Sequence, residues 1–313
     1  MKTYPGNVVL SDSAEFYMLA FSSKGEKKPF LSIVFFFIYM AGMLWNLTII
    51  IVVYLDIHLH TPMYVFLCNL SLIDICSTTV SLPKLIDILL TGKNTILFED
   101  CFIQMYFYTF FVITEFILLS FMAYDRYVAI CSPLHYQIII NKEKCVLILS
   151  GTWISACVNS FFLTGFASSL DFCHTSNIFH FFCEIKAVVN IACADLSFTI
   201  TFLVESFLFG LFPFAIILAS YTKIISTIMH TKSIVSRKKA FSTCSSHLTV
   251  IIIFYVTVLC AYLKPPSRQS DELDQMFSVL YAAVTPMLNP LIYTLRNRTV
   301  KTALLKIIDR EDK

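Results

Sequence analysis

Long apolar stretches alternate with short polar segments along nearly the whole chain. A helix needs about 20 apolar residues to cross a bilayer, and seven stretches reach or approach that length. They lie at 29–55, 62–84, 101–127, 145–166, 198–229, 240–263 and 276–295. The pattern therefore predicts an all-α membrane protein, in which residues 29–295 form a seven-transmembrane helix bundle.

Both ends of the chain lie outside this bundle. Residues 1–28 are polar, carry both charge signs and lack the apolar core of a cleavable signal peptide. In residues 296–313, apolar side chains recur at helical spacing while lysines fall on other sides: Val300, Leu304, Leu305 and Ile308, against Lys301 and Lys306. We expect an amphipathic eighth helix on the membrane surface, with a frayed tail as the alternative.

Composition and charge agree with a membrane protein and indicate its orientation. Hydrophobic residues make up 57% of the chain and charged residues 14%, which excludes a soluble domain. Basic residues cluster after the fifth and seventh spans, at Lys223, Lys232, Arg237, Lys238, Lys239, Arg296, Arg298, Lys301, Lys306 and Arg310. By the positive-inside rule these segments are cytoplasmic and residues 1–28 extracellular. The basic face suits anionic lipid and an acidic protein partner, and nothing resembles a nucleic-acid patch.

Charged residues within or at the ends of the spans require an explanation, because charge is costly in hydrocarbon. Asp125 and Arg126 adjoin at the end of the third span, where a simple anchor pair is one interpretation. Glu115 precedes Arg126 by eleven residues, roughly 16 Å along one helix face. Asp74 lies midway along the second span, so it and Glu115 could meet in the core. They would then bind a cation, or be protonated and bonded to Asn46 or Asn289.

The seventh span contains a proline, Pro290, between Asn289 and Tyr293. A proline inside a helix frees a backbone carbonyl and permits a kink, and the two polar side chains offer contacts that can be exchanged between packings. Taken alone, this segment indicates only a bent helix.

Four segments together resemble the odorant (olfactory) receptors of the rhodopsin-like G-protein-coupled receptor family. They are MAYDRYVAIC at 122–131 with PLHY at 133–136, PMLNPLIYTLRN at 286–297, KAFSTCSSHL at 239–248 and LHTPMY at 59–64. The resemblance covers nearly the whole chain. It implies a plasma-membrane receptor, not an enzyme, that binds small, mostly hydrophobic odorants. The implied partner is a stimulatory heterotrimeric G protein that raises cyclic AMP.

The resemblance also implies roles for particular residues. Coupling and switching fall to Asp125, Arg126, Tyr127, Tyr221, Asn289, Pro290 and Tyr293. Asp74 and Glu115 match the acids of a sodium cavity, and hard oxygen ligands suit that cation. No other cofactor is implied.

A ligand cavity is expected between the third, fifth, sixth and seventh spans. On the third span Met105, Tyr108, Val112 and Glu115 recur on one face, flanked by Thr109 and Ile113. The resemblance adds residues from the other spans: Glu205, Ser206, Phe209, Tyr255, Val258, Leu259, Tyr262, Val279 and Ala282. Ordinary interhelical packing is the alternative for each. Glu205 is expected to pair with an amine or, when protonated, to donate to an alcohol or ketone, unless it faces lipid headgroups or Thr201.

Four of the eleven cysteines lie in segments assigned to the outside: Cys101, Cys173, Cys183 and Cys193. Four cysteines allow three pairings. The family pattern implies Cys101 to Cys183 and Cys173 to Cys193, which would hold the loop over the bundle as a lid. His180 beside these cysteines raises a metal site as a weaker alternative.

An ion- or proton-coupled transporter is the competing class, with Asp74, Glu115 and Glu205 as a relay. Transporters often contain paired repeats, which this chain lacks, and its odd number of spans also disfavours this class. Two residues depart from the family pattern. Trp45 precedes Asn46 and Val256 follows Tyr255, where glycines are usual, and we expect altered helix packing at the first and a stiffer helix or reshaped pocket floor at the second.

Overall fold

The computed structural model describes residues 15–20, 28–173, 176–193, 195–231, 233–262, 271–296 and 298–311. Within them, seven helices are long and apolar enough to cross a membrane. They are α1 (Lys28–Leu55), α2 (Pro62–Thr91), α3 (Phe98–Cys131), α4 (Lys142–Ser168), α5 (Leu196–His230), α6 (Ile234–Tyr262) and α7, formed by Asp271–Val279 and Thr285–Arg296. The seven-helix prediction is confirmed. An eighth helix, α8 (Arg298–Glu311), follows as predicted.

Two of the spans contain a wider, π-helical turn. In α5 it is Phe207–Leu211, and in α7 it is Leu280–Val284. Pro213 and Pro286 follow these turns, and each lacks the N–H group that would continue a regular hydrogen-bond ladder. Short helical segments occur between the spans at Ile57–Leu59, Pro133–His135, Tyr136–Ile139 and Ile185–Val189.

Helix α3 occupies the centre of the bundle, where it packs against α2, α4 and α5. Buried apolar side chains form one cluster around Cys101 and Cys183, which we call the disulfide end, and a second around Met122, which we call the Arg126 end. Large apolar side chains on the outside stay exposed, such as Phe37, Leu147 and Phe162. A belt of this kind is suited to contact with lipid.

Helix α2 continues about two turns beyond its predicted end at residue 84. The predicted end fell at the charged Lys84, yet Leu85, Ile88 and Leu89 continue a buried helical repeat beyond it. Lys84 is accommodated because its ammonium donates to the Thr95 carbonyl, 2.9 Å away. The helix ends at Gly92, whose φ of 75° places it in the left-handed conformation that favours glycine.

Other spans also begin or end beyond their predicted limits. Glu99 and Asp100 lie in the first turn of α3, where negative charge complements the helix dipole. Asp195 caps α5 by accepting a hydrogen bond from the Phe198 amide, at 2.7 Å. Helix α6 begins at Ile234, within the basic segment. Polar helix ends of this kind lie outside an apolar pattern, so the pattern alone places the ends too far inward.

A small sheet at the disulfide end was not predicted. Strand β1 (Glu15–Met18) pairs antiparallel with β2 (Thr95–Leu97) and parallel with β3 (Asn177–Ile178). Phe16 is buried against the rings of Phe98 and Phe172, with centroids 5.6 and 5.5 Å away. Part of the polar amino-terminal segment is thus packed onto the bundle.

Helix α8 packs against α1 and α7. Val300 and Ala303 are buried there, while Leu305 is half exposed, as expected for an amphipathic helix. The Ile308 side chain lies outside the described part of the chain.

The two departures from the family pattern differ in exposure. Val256 is 52% exposed and Trp45 is 37% exposed. The expectation that Val256 reshapes a pocket floor is therefore wrong, because its position on α6 turns it away from the bundle interior.

Candidate functional site

At the Arg126 end, a buried carboxylate has two partners. Asp125 is fully buried, and its Oδ2 accepts hydrogen bonds from the Nε of Arg126, 3.0 Å away, and from Nη2 of the same side chain. Its Oδ1 accepts a hydrogen bond from the Tyr136 hydroxyl at 2.7 Å. Both carboxylate oxygens are therefore satisfied, one by the adjacent arginine and one by the short helix Tyr136–Ile139.

Tyr136 was not assigned a role from the sequence, although it lies in the quoted segment 133–136. Burial, followed by the neighbouring Asp125 carboxylate, raises the pKa of its hydroxyl above the ordinary value. The hydroxyl is therefore protonated at neutral pH and remains a donor. Its sequence distance from Asp125 gave no sign of this contact, which forms because the chain reverses direction after α3.

A second polar contact links α5 and α6 near Arg126. The hydroxyl of Tyr221 and the Nδ1 of His247 share a hydrogen bond of 2.8 Å, and both groups are buried. They lie within electrostatic range of Arg126, as does the buried Tyr293 of α7. The structure thus brings three predicted switch residues, Arg126, Tyr221 and Tyr293, to one region. His247 joins them unpredicted, while Tyr127 beside Arg126 is partly exposed.

The two acids of the core lie near one shared side chain, that of Asn289. Asn289 donates from Nδ2 to both oxygens of Asp74, at 3.2 and 3.1 Å, and Glu115 lies beside the same amide. Asn46 does not join them through its amide nitrogen, which donates to the carbonyls of Gly42 and Pro286. Of the two asparagines considered, Asn289 is therefore the partner of Asp74.

This region fits a small hard cation by its donor set. Several buried side-chain oxygens have no hydrogen-bond partner among the described residues, namely Asn46 Oδ1, Glu115 Oε1, Asn289 Oδ1 and the hydroxyl of Tyr293. Such oxygens require water or a cation, since an unsatisfied buried polar group is costly. The carboxylates of Asp74 and Glu115 would supply the charge that neutralises sodium.

The predicted ligand residues of α3 line the interior near the disulfide end. Met105, Tyr108 and Ile113 are buried, and Thr109 and Val112 are partly buried. The ring of Tyr108 packs 4.6 Å from Phe182 of the loop and 6.2 Å from Tyr281 of α7, measured between centroids. This face of α3 therefore meets the loop and α7.

Predicted residues from the other spans divide into two groups. Tyr255 and Ala282 are buried, and Phe209, Val258 and Val279 are partly buried. Ser206 and Leu259 are exposed instead, and the Ser206 hydroxyl donates to the Phe202 carbonyl of its own helix at 2.7 Å. Neither belongs to the closed interior in this packing. The Tyr262 side chain lies outside the described part of the chain.

Glu205 has a neighbour that the sequence did not indicate. It is partly buried, and its carboxylate lies beside the buried Asn159 of α4, without hydrogen-bond geometry to that amide. Glu205 Oε2 is buried and has no hydrogen-bond partner among the described residues. The group is thus positioned between α4 and α5 with one oxygen available to a further donor.

The loop that covers the disulfide end is held at several points. Cys101 is bonded to Cys183 and Cys173 to Cys193, with Cα atoms 5.4 and 5.1 Å apart, in the pairing that the resemblance implied. Gln104 of α3 accepts a hydrogen bond from the Cys183 amide at 2.9 Å. Glu184, next to the bridge, accepts one from the Tyr281 hydroxyl of α7 and lies 3.6 Å from His180 Nε2.

The bundle and its two ends define a class of protein. Seven membrane-crossing helices, a disulfide-bonded loop over one end and a buried aspartate–arginine pair at the other are the features of a heptahelical membrane receptor. Burying a charged pair costs desolvation free energy. In receptors such a pair rearranges when the helices change their packing.

Comparison with known proteins identifies the family. The olfactory receptor family profile matches residues 35–311. The chain is 42% identical to olfactory receptor 1G1 of Gorilla gorilla gorilla over 301 residues, 96% of each chain. It is 44% identical to olfactory receptor 10A7 of Homo sapiens, covering 95% of this chain and 94% of that one, and 45% identical to olfactory receptor 13C9 of Homo sapiens, covering 95% of both. The chain belongs to the olfactory receptor family. It is a multi-pass membrane receptor for odorants that couples to a G protein, not an enzyme.

Proposed function

We propose that this receptor lies in the plasma membrane with its disulfide end outside, binds small, mostly hydrophobic odorants within the bundle, and activates a stimulatory G protein that raises cyclic AMP. The observation that carries the proposal is the closed network of Asp125, Arg126 and Tyr136 at the opposite end of the bundle from the loop. A ligand at one end and a protein at the other can then be coupled through helix packing.

Charge supports this orientation. The described, exposed basic residues at the Arg126 end are Lys142, Lys144, Lys223, Arg237, Lys301 and Lys306. At the disulfide end, Lys93 is the described basic residue that is exposed. The positive-inside rule assigns the first end to the cytoplasm. The same basic face is suited to anionic lipid and to an acidic surface of the G protein.

The interior near the disulfide end supports a mostly apolar ligand. The ring of Tyr108 on α3 packs against Phe182 of the loop and Tyr281 of α7. Val112, Val258 and Val279 extend the apolar lining, while Thr109 offers a hydroxyl. Apolar walls with few polar groups favour small hydrophobic molecules and fix their orientation. Glu205 extends this specificity to ligands that carry a hydrogen-bond donor or an amine.

Activation follows from differential affinity for an open packing. A ligand that contacts α3 and α7 more favourably when the Arg126 end is open shifts the population toward that state. Opening exposes Arg126 to the G protein and separates Tyr221 from His247. It also gives a partner to the Tyr293 hydroxyl, which has none among the described residues in the closed packing. The π-helical turn and Pro290 of α7 make that helix suited to bending.

We also propose that sodium stabilises the resting receptor between α2, α3 and α7. Asp74 and Glu115 would hold the cation together with the unpartnered oxygens of Asn289 and Asn46. A cation between these helices opposes their rearrangement, so sodium would favour the closed packing.

The test is a screen of a chemically broad odorant panel in cells that carry a cyclic AMP reporter. We expect the wild-type receptor to respond to a subset of hydrophobic odorants. Arg126→Ala should abolish that response while surface display, measured through an amino-terminal tag on intact cells, stays unchanged. A retained response in Arg126→Ala would contradict the assigned role, and an inaccessible amino-terminal tag would contradict the orientation.

A further inference from the structure

A cavity of about 480 Å³ lies on the outer surface of α2 and α3 at the disulfide end. It is distinct from the odorant region, which is enclosed by the helices. Its apolar wall includes Val80, Ile103 and Phe107, and the last two are 56% and 43% exposed on the belt that faces lipid. The cavity therefore opens sideways toward the membrane, and an acyl chain would lie against this wall.

Charged side chains line the cavity above this apolar wall. Lys84 comes from α2, Asp100 from the first turn of α3 and Glu15 from β1. The ammonium of Lys84 has three donors. One N–H donates to the Thr95 carbonyl at 2.9 Å, and a second faces the half-exposed carboxylate of Asp87, 3.5 Å away. The third N–H therefore remains for a ligand. The Lys84 side chain is 22% exposed, which limits competition from water.

The lining thus combines one cation, two carboxylates and an apolar wall. An anionic lipid would satisfy Lys84 but would place its charge near Glu15 and Asp100 without a positive group for them. A zwitterionic headgroup supplies both charges: its phosphate matches Lys84 and its ammonium matches the two carboxylates.

We propose that this cavity is a binding site for a zwitterionic phospholipid, with the phosphate on Lys84, the ammonium facing Glu15 and Asp100, and an acyl chain along Ile103 and Phe107. The proposed extracellular position of the disulfide end agrees with a zwitterionic ligand, because anionic lipids concentrate in the opposite, cytoplasmic leaflet. The inference itself rests on the charges and shape of the cavity.

A lipid at this site would brace the loop over the bundle. The cavity is also lined by Gln104, which donates to the Val80 carbonyl at 2.8 Å and accepts from the Cys183 amide. Its upper rim is formed by β1 and β2. Occupation would therefore hold the amino-terminal strand and the disulfide-bonded loop against α2 and α3.

The experiment uses the full-length receptor, without odorant, in nanodiscs that contain a photoreactive phosphatidylcholine. Labelled peptides are mapped by mass spectrometry, and phosphatidylglycerol with the same chains is the comparison lipid. We expect phosphatidylcholine to label the α2–α3 segment more strongly. Lys84→Gln should lower labelling by both lipids about threefold to tenfold, because it removes one partly exposed hydrogen bond from a charged group. Asp100→Asn and Glu15→Gln should lower phosphatidylcholine labelling alone.

Matched controls are Lys93→Gln and Glu99→Gln, since both residues are exposed nearby but do not line the cavity. They should leave labelling unchanged. Because Lys84→Gln also removes the bond to Thr95, Ile103→Trp provides a second variant that fills the cavity and keeps that bond; it should also reduce labelling. Labelling that is unchanged in Lys84→Gln and Ile103→Trp, or equal for the two lipids, overturns the proposal. The readout does not depend on cyclic AMP, so its failure is distinguishable from failure of the proposed function.

Discussion

Removing the Tyr136 hydroxyl should activate the receptor without ligand. In Tyr136→Phe the ring remains, but Oδ1 of the fully buried Asp125 loses its donor at 2.7 Å. An unsatisfied carboxylate oxygen in the closed packing costs about 1–2 kcal/mol, the lower part of the range for charged groups because Tyr136 is only partly buried. Opening of the Arg126 end admits water to the carboxylate and relieves that cost.

This free energy translates into a basal signal. It shifts the ratio of open to closed receptor by about 5–30-fold. If about 1% of the wild-type receptor is open, a typical minor population, the variant would be about 5–25% open. The assay is basal cyclic AMP, normalised to the surface receptor measured on the same cells.

Tyr124→Phe is the matched control, because Tyr124 lies one residue before Asp125, is 37% exposed and makes no described hydrogen bond to that carboxylate. Its basal signal should equal that of the wild type. A Tyr136→Phe receptor that reaches the surface normally and shows wild-type basal cyclic AMP would refute the reasoning that this contact stabilises the closed state.

Three further predictions concern the other polar sites. Glu205→Gln should change the ranking of active odorants across amines and neutral compounds; an unchanged ranking removes Glu205 from the ligand site. Sodium chloride should raise the thermal stability of the purified receptor more than choline chloride does, by about 1.4 kcal/mol at ten times the dissociation constant, and Asp74→Asn should abolish the difference. Equal stabilisation by both salts would rule out a sodium site. Cys173→Ser removes a bridge across 20 residues and should destabilise the loop by about 3 kcal/mol. Faster proteolysis of the loop is the readout, and wild-type protection would show that the bridge is dispensable.

Hydrophobicity along the chain predicted the number and order of the helices, because a membrane requires each span to be apolar and to satisfy its backbone internally. The helix ends were less accurate. Lys84 shows the reason: a charged residue looks like the end of a span, yet its long side chain reaches the Thr95 carbonyl and α2 continues. Residues 15–18 looked like part of a polar tail, since a four-residue strand has too short a pattern to be distinguished from a loop.

For the site, the sequence located the groups but not their partners. The sequence by itself determined that Asp125 and Arg126 adjoin. It also determined that Glu115 lies on the same face of α3 as Arg126, since both facts follow from positions on one helix. Only the tertiary structure decided that Asp125 meets Tyr136, that Tyr221 meets His247 and that Glu205 lies beside Asn159. These contacts join separate helices or a helix and a loop, and they depend on the rotation of each helix about its axis. That rotation is set by packing among all the helices together and leaves no local signal in the chain.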